Sequence, residues 1–263
     1  MNDGLGGSMN DRMDGPIRVY KVGGPALEDP GLIGALANEV RRGTGPAALV
    51  HGGGRHVDRL LRALAIESRF VDGRRQTSDE AMEVVEMVLS GVVNKALAAG
   101  LTRAGIPALG LSGRDAGLIR ARLEPGLGRV GTPERIEPAP VLILWRAGVL
   151  PVISPVSSGP TGESVNVNAD EVALGLARAL GARSLVYLSD VDGVRVGDET
   201  VSSLTLGEAR RRIADGTIAG GMALKVRVAL DAAAQGIPEV VIAGKARLLG
   251  SFPGTRVGTK EEA

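Results

Sequence analysis

The sequence predicts an α/β fold: a largely parallel central sheet flanked by helices on both faces, three layers deep, with two lobes sharing the one sheet. Short apolar runs alternate with helical patterns along the whole chain. Two of those runs stop on glycines, Ile17-Arg18-Val19-Tyr20-Lys21-Val22-Gly23-Gly24 and Ala47-Ala48-Leu49-Val50-His51-Gly52-Gly53-Gly54. They lie about 30 residues apart with a helical stretch between them, the spacing of consecutive parallel strands. Both ends then open on one sheet edge, where α/β proteins bind ligands.

Strands are expected at 18–22, 47–50, 108–111, 150–154, 184–188 and 239–242. Helices are expected at 29–42, 56–65, 78–104, 139–148, 169–180, 205–215 and 221–235. The helix over 78–104 is the clearest, because Met82, Val85, Leu89, Val92 and Ala96 fall on one face at helical spacing. Thr77 and Glu80 supply a capping-box start for it. Two segments interrupt the alternation. Residues 118–140 hold glycines, prolines and short β-like pieces and read as a hairpin excursion; 194–203, with turn signals at Asp192-Gly193 and Gly197-Asp198, read as another. No low-complexity linker divides the chain, so the expected domain is continuous over 16–259.

Composition narrows the chemistry. The 263 residues are 44% hydrophobic and 23% charged, which suits a soluble globular protein able to bury a full core. A net charge of +1 without a long basic run gives no case for nucleic acid, and 2% aromatics leave no stacking platform for bases. With no cysteine, disulfides, zinc–thiolate sites and thiol catalysis are ruled out. No apolar run approaches the roughly 20 residues that span a bilayer, so no membrane role is expected. Residues 1–15 are rich in Gly, Asn and Asp and read as a disordered leader. A cytoplasmic location follows from this reading.

Glycine next to a strand end lets backbone approach a bound group, and phosphate is the usual guest. Lys21 beside Gly23 and Gly24 is either a solvent-facing strand-end lysine or an ammonium placed over transferring phosphoryl oxygens; the flanking glycines favour the second. Three glycines after His51 exceed what a turn needs and suggest a nest of N–H donors for carboxylate or phosphate. His51 and His56 lack partners at metal-ligand spacing, so no protein-bound metal is assigned. Gly126-Leu127-Gly128-Arg129-Val130-Gly131 matches the dinucleotide string but neither follows a strong strand nor opens a helix, and is set aside. In Asn166-Val167-Asn168-Ala169-Asp170, Asn168 makes a good N-cap with Glu171 three residues on. Asn166 and Asp170 are left for substrate contact or for holding a lysine, and both readings of the pentapeptide stand. Ser189-Asp190 at a strand end could hold nucleotide, while Asp192-Gly193 is ordinary turn chemistry. Gly220-Gly221-Met222-Ala223-Leu224-Lys225 puts a lysine near a helix N-terminus, where the dipole disfavours it; a phosphate-facing role accounts for it better than a surface one.

In this order these motifs, with Asn94-Lys95, Gly110-Leu111-Ser112-Gly113 and Gly254-Thr255, resemble the amino acid kinase family over residues 17–257. Within it they are most similar to the branch acting on N-acylated glutamate. The resemblance implies phosphoryl transfer from ATP, with Mg²⁺ carried on the nucleotide, to the side-chain carboxylate of N-acetyl-L-glutamate, a step of arginine biosynthesis. It implies that Lys21 and Lys225 flank the transferring group and that Asp170 orients both. Backbone at Gly23, Gly24, Gly52 and Gly53 would meet phosphate and substrate, and Arg75 and Asn166 would hold the substrate's α-carboxylate and acylamino group. Nucleotide would lie against Ser189, Asp190 and Val191, then Asp192, Gly193 and Val194, and against Thr217, Ile218 and Ala219. The acyl-amino-acid lobe would span about 16–180 and the nucleotide lobe about 181–259.

Where that branch usually reads Gly-Leu-Arg-x-Thr, this chain has Gly73-Arg74-Arg75-Gln76-Thr77. The additional arginine admits a larger or more acidic acyl group, hence N-succinylglutamate or carrier-protein-linked 2-aminoadipate as alternatives. A nucleotide-binding regulatory module is the non-enzyme alternative; it would be expected to lose one of the two lysines, and both are present. Arginine-sensitive relatives carry an N-terminal helix that links dimers into hexamers. The glycine-rich leader here is a poor helix former, so an arginine-insensitive homodimer is expected.

Overall fold

The computed structural model describes residues 14–71, 73–251 and 253–259, so residues 1–13 of the expected leader lie outside the described residues. The chain opens with β1 (Arg18–Val22), α1 (Leu32–Arg42), β2 (Ala47–His51) and α2 (Gly54–Ala63), then a short hairpin of β3 (Arg69–Val71) and β4 (Arg74–Gln76). α3 (Asp79–Glu86) runs through a π-helical stretch (Met87–Val93) into α4 (Asn94–Arg103) and β5 (Ala108–Ser112). β6 (Ile119–Leu123) and β7 (Val130–Ile136) lead to α5 (Ala139–Arg146) and β8 (Leu150–Ser154). β9 (Val156–Ser158) and β10 (Ser164–Val167) precede α6 (Ala169–Ala179) and β11 (Ser184–Leu188). The rest comprises β12 (Arg195–Val196), β13 (Glu199–Thr200), β14 (Ser203–Thr205), α7 (Leu206–Ala214), α8 (Gly220–Ala234), β15 (Glu239–Ala243), α9 (Lys245–Leu249) and β16 (Thr255–Thr259).

The main sheet has eight strands in the order β14-β16-β15-β11-β1-β2-β8-β5. From β15 to β5 every pairing is parallel, while β16 runs antiparallel to β15. β1 is the switch point: the chain goes first to one side through β2, then returns to the other through β11. The two glycine-ended strands therefore pair directly and open on the same edge, as expected.

Apolar residues alternate between two cores. Val19, Ile153, Leu185 and Ile242 face α5, α6, α7 and α8, whereas Tyr20, Leu49, Val152 and Val186 face α1, α2, α3, α4 and α9. Each such side chain contributes roughly 1.5–3 kcal/mol by leaving water. Trp145 is 2% exposed, and its indole N–H is satisfied by the Ala47 carbonyl at 2.7 Å, which ties α5 to the sheet. The expected excursion at 118–140 is real and larger than anticipated, because β6 and β7 close with β9 and β10 into a small four-stranded barrel. The second excursion is the β12–β13 hairpin.

The long helix departs from expectation in two ways. Its N-cap is Ser78, whose hydroxyl accepts from the Ala81 N–H, rather than Thr77 in a capping box; Thr77 is fully buried and bonds the Arg75 carbonyl. Met82, Val85 and Leu89 face the core, but Val92 is 62% exposed and Ala96 is also exposed. The π turn inserts an extra residue per turn and rotates the stripe, so that Val93, Leu97 and Leu101 continue it. The 25-residue helical run Asp79–Arg103 is long and apolar enough to cross a membrane by composition. More than half of its most apolar window is buried within the protein, as befits a core helix.

Candidate active site

The carboxyl ends of the central strands form a staircase. The Gly52 N–H donates to the Val22 carbonyl at 2.9 Å, the Gly23 N–H to Leu188 at 2.9 Å, and the Ser189 N–H to Ala243 at 2.8 Å. Two of the expected nest donors, at Gly23 and Gly52, are thus spent on extending the sheet. Gly24 and Gly53 take no part in these ladder bonds. Gly53 has a φ of +152°, which side-chain residues rarely adopt, and a Cβ there would lie 2.7 Å from Leu89 Cδ2.

Above this edge lies a cavity of about 310 Å³ between α6 and α8, lined by Lys21, Gly23, Gly24, Asp170, Ser189 and Lys225 among others. Lys21, from β1, pairs with Asp170 Oδ1 at 2.9 Å. Lys225, from α8, enters from the other wall and pairs with Asp190 Oδ1 at 2.9 Å and with the Ser189 hydroxyl. Asp170 stands in the first turn of α6, where the helix dipole favours a carboxylate. The Lys225 ammonium, helped by the Ser189 hydroxyl, holds the Asp190 carboxyl down to about 2. In this ligand-free arrangement Asp170 pairs with Lys21, and Lys225 pairs with Asp190.

A second cleft of about 390 Å³ adjoins the first and shares Gly24 with it. Gly54, Arg75, Asn166 and Asn168 line it. The Arg75 guanidinium is 4.6 Å from the Phe70 ring centroid, pairs with Asp58 at 2.6 Å and donates to the Ser68 hydroxyl. These contacts hold a largely buried cation, both terminal nitrogens partnered, against the wall of the cleft. Asn166 is fixed by its amide donating to Thr77 Oγ1 at 3.2 Å and by its backbone N–H donating to the Arg129 carbonyl at 2.8 Å. Asn168 caps α6 through the Asp170 N–H at 2.8 Å, so the helix start that carries Asp170 also borders this cleft. Glu171 completes no capping box; it pairs with Arg74 at 2.5 Å, and burial pushes its carboxyl up. Arg74, which also reaches Glu124 at 3.6 Å, is committed to carboxylates of this chain.

Beneath the glycine run, His51 is completely buried. Its Nδ1–H donates to the Gly52 carbonyl at 2.7 Å, and Nε2 accepts from the Asn94 amide at 3.1 Å. Burial pushes the imidazole down to about 4, so it is neutral at pH 7. Asn94, turned inward just after the π stretch, donates as well to the Val152 carbonyl at 2.9 Å. The π turn thus runs into Asn94, whose amide holds the His51 ring that in turn bonds the Gly52 carbonyl.

The two clefts gather Lys21, Gly23, Gly24, Arg75, Asn166, Asp170, Ser189, Asp190 and Lys225. The rest of the expected nucleotide stretch is less uniform. Asp192 lines a neighbouring groove and accepts from the Ala246 N–H at 2.8 Å. Val194 and Ile218 are buried in the apolar core, so only their backbone is left for a ligand, and the Val194 N–H already donates to Thr255 Oγ1 at 2.8 Å. Thr217 and Ala219 are exposed just before α8, and Val191 and Gly193 continue the loop after β11. Sequence reasoning missed Tyr187, Leu224, Val228 and Ile242 in the main cavity. Tyr187 lies two residues before Ser189 and, in the folded sheet, in register with Lys21.

The amino acid kinase family model matches residues 16–244. An acetylglutamate kinase of Rubrobacter xylanophilus is 44% identical over 92% of this chain and 95% of its own. One from Ruegeria pomeroyi is 44% identical over 88% of this chain and 82% of its own. The crystal structure of smu.665 from Streptococcus mutans UA159, 23% identical, superimposes with a TM-score of 0.78, covering 93% of this chain and 99% of that one. At that identity the likeness concerns the fold.

Proposed function

The chain belongs to the amino acid kinase family, and we propose that it transfers the terminal phosphoryl group of ATP to the side-chain carboxylate of N-acetyl-L-glutamate. The observation that carries this is the joining of two clefts at Gly24, one holding two aspartate-paired lysines and the other Arg75 and Asn166. The acceptor carboxylate is ionised at neutral pH, its ordinary pKa being about 4.3, so it needs no general base. Its oxygen attacks the terminal phosphorus, the bond to the bridging oxygen breaks, and ADP leaves with the electron pair. Alignment and charge neutralisation are what the protein must supply. Lys21 and Lys225 do so by exchanging their aspartates for phosphoryl oxygens from opposite sides. Magnesium, arriving on the nucleotide, adds further neutralisation of phosphate charge.

Residues of about 16–180 form the acyl-amino-acid side and about 181–259 the nucleotide side in this reading. Arg74 is paired with Glu171 and Glu124, which favours an acetyl group over a succinyl group bearing a further carboxylate. A homodimer formed along the open β5 edge is supported by Met87, Val92 and Leu109, which are 54%, 62% and 46% exposed. A cytoplasmic location accompanies a biosynthetic kinase. Hydroxylamine trapping of the acyl phosphate tests the function: with MgATP, hydroxamate should form fastest from N-acetylglutamate. No hydroxamate with acetyl-, succinyl- or carrier-linked acceptors would sink the reading.

A further inference from the structure

Glu39 of α1 is a carboxylate that the proposed reaction does not use, and it is 7% exposed. A buried charge is costly unless it is paired and hydrogen-bonded. Here its Oε1 accepts from the Tyr20 hydroxyl and from Arg247 Nε, both at 3.2 Å, and its Oε2 pairs with Arg42 at 3.3 Å. Arg247 belongs to α9 and donates onward to the Pro253 carbonyl at 2.7 Å, while Arg42 donates to the Leu248 carbonyl at 2.7 Å. These bonds clamp α9 onto α1 around the buried Leu248. A helix of five residues is too short to hold its shape alone, so such contacts set its position.

The N-terminal end of α9 touches the nucleotide side. Its Ala246 N–H donates to Asp192 Oδ1 at 2.8 Å. Just before it, Gly244 lies so close to the loop after β11 that a Cβ there would be 2.5 Å from the Val191 carbonyl oxygen. A shift of α9 is therefore felt at Val191 and Asp192. Ser189 and Asp190, at the head of the same loop, hold Lys225. Resting on the kinase reading above, we propose that Arg247, set by Glu39, is a positioning residue for nucleotide binding: it fixes α9, and α9 fixes the loop 189–193 against which the nucleotide lies. Arg247 touches no substrate in this reading, and its effect passes through the hydrogen bond between Ala246 and Asp192.

The test is calorimetric titration of the wild type, Arg247→Met, Asp192→Ala and the double variant with a non-hydrolysable ATP analogue and Mg²⁺, the KM for N-acetylglutamate being measured alongside. Arg247→Met keeps the packing of the stem and loses the bonds of the guanidinium. Each single variant should raise the Kd about threefold to thirtyfold, with the acceptor KM unchanged. Because the two act through one contact, the double variant should bind no more weakly than the weaker single variant. Losses that multiply in the double variant overturn the route through Asp192. An unchanged Kd in Arg247→Met, whatever its Tm, overturns the proposal in favour of a purely structural role, and so does an equal rise in the acceptor KM. Should Arg247→Met fail to fold, Arg42→Ala releases the same helix from a half-exposed position and is read by the same outcomes. A wild type that does not bind the analogue removes the kinase reading itself, whereas a wild type and variants that bind equally well remove only this proposal.

Discussion

Lys21 and Asp170 form a 2.9 Å ion pair across the gap between the central strand and the first turn of α6, in the cavity that shares Gly24 with the second cleft. Lys225 and Asp190 repeat the arrangement on the opposite wall. Both pairs are partly open to solvent, so their value lies less in stability than in placement. Each aspartate holds an ammonium group at the cavity, and in the proposed reaction it yields that group to phosphate.

Removing Lys225 should therefore act on the transition state. Lys225→Ala is expected to lower kcat by about a hundredfold or more with a much smaller rise in the KM for ATP, as for other preorganised charges at a developing anion. Steady-state kinetics by hydroxamate formation decides it, and a change confined to KM would count against the role.

The strand and helix order was legible because β1, β2, β8, β11 and β15 are short apolar runs ended by glycine, serine or turn residues. Lys21 and Lys225 were legible for a different reason: neither has a good structural excuse where it stands. The π turn was not legible, since its residues, Met87 to Val93, carry no signal against an ordinary helix and the shift shows only in which of the following residues turn inward, Asn94 onto His51 among them. Nor was the partner of Lys225, because Ser189-Asp190 and Lys225 are 36 and 35 residues apart and meet only when β11 and α8 pack. Tyr187 was hidden for the opposite reason, reading as one more apolar residue in a buried strand.

The adjacent arginines should separate cleanly. Arg75→Lys loses the fork that bonds Asp58 and Ser68 while facing the second cleft, and the KM for the acyl amino acid should rise about tenfold or more with the KM for ATP unchanged. Arg74→Ala strips Glu171 of its cation and should chiefly lower the Tm. Equal effects of both variants on acceptor KM, read by steady-state kinetics, would return Arg74 to the substrate site.

Gly53 is required by its backbone, whose φ of +152° side-chain residues rarely adopt, and by the crowding of Leu89. Gly53→Ala brings a methyl group to 2.7 Å from Leu89 Cδ2, an overpacking expected to cost about 1–3 kcal/mol in urea unfolding. Pairing it with Leu89→Ala relieves the clash, so the double variant should lose less than the sum of the two single losses. Strict additivity would place the whole loss in the backbone conformation rather than in the contact with Leu89.

The apolar edge gives an assembly prediction. Light scattering should report a dimer for the wild type, and Val92→Glu with Leu109→Glu should shift it to monomer without loss of secondary structure by circular dichroism. A hexamer for the wild type, or a dimer untouched by both charges, would mean that another surface mediates assembly.

Acid sensitivity follows from His51. Its ordinary pKa is 6.5, and burial in the fold lowers it to about 4, so the unfolded chain binds the proton first as pH falls. The stabilisation from keeping the imidazole neutral is complete above pH 6.5 and is lost progressively down to about 4. Between pH 7.5 and 5 the loss is roughly 2 kcal/mol, at about 1.36 kcal/mol per unit. Urea unfolding at those two pH values measures it. In His51→Gln, which has nothing to titrate at that position, this part of the pH dependence should vanish. A slope of the same size in the variant would place the acid sensitivity elsewhere, and His51 would then serve only to pin the Gly52 carbonyl through its 2.7 Å hydrogen bond.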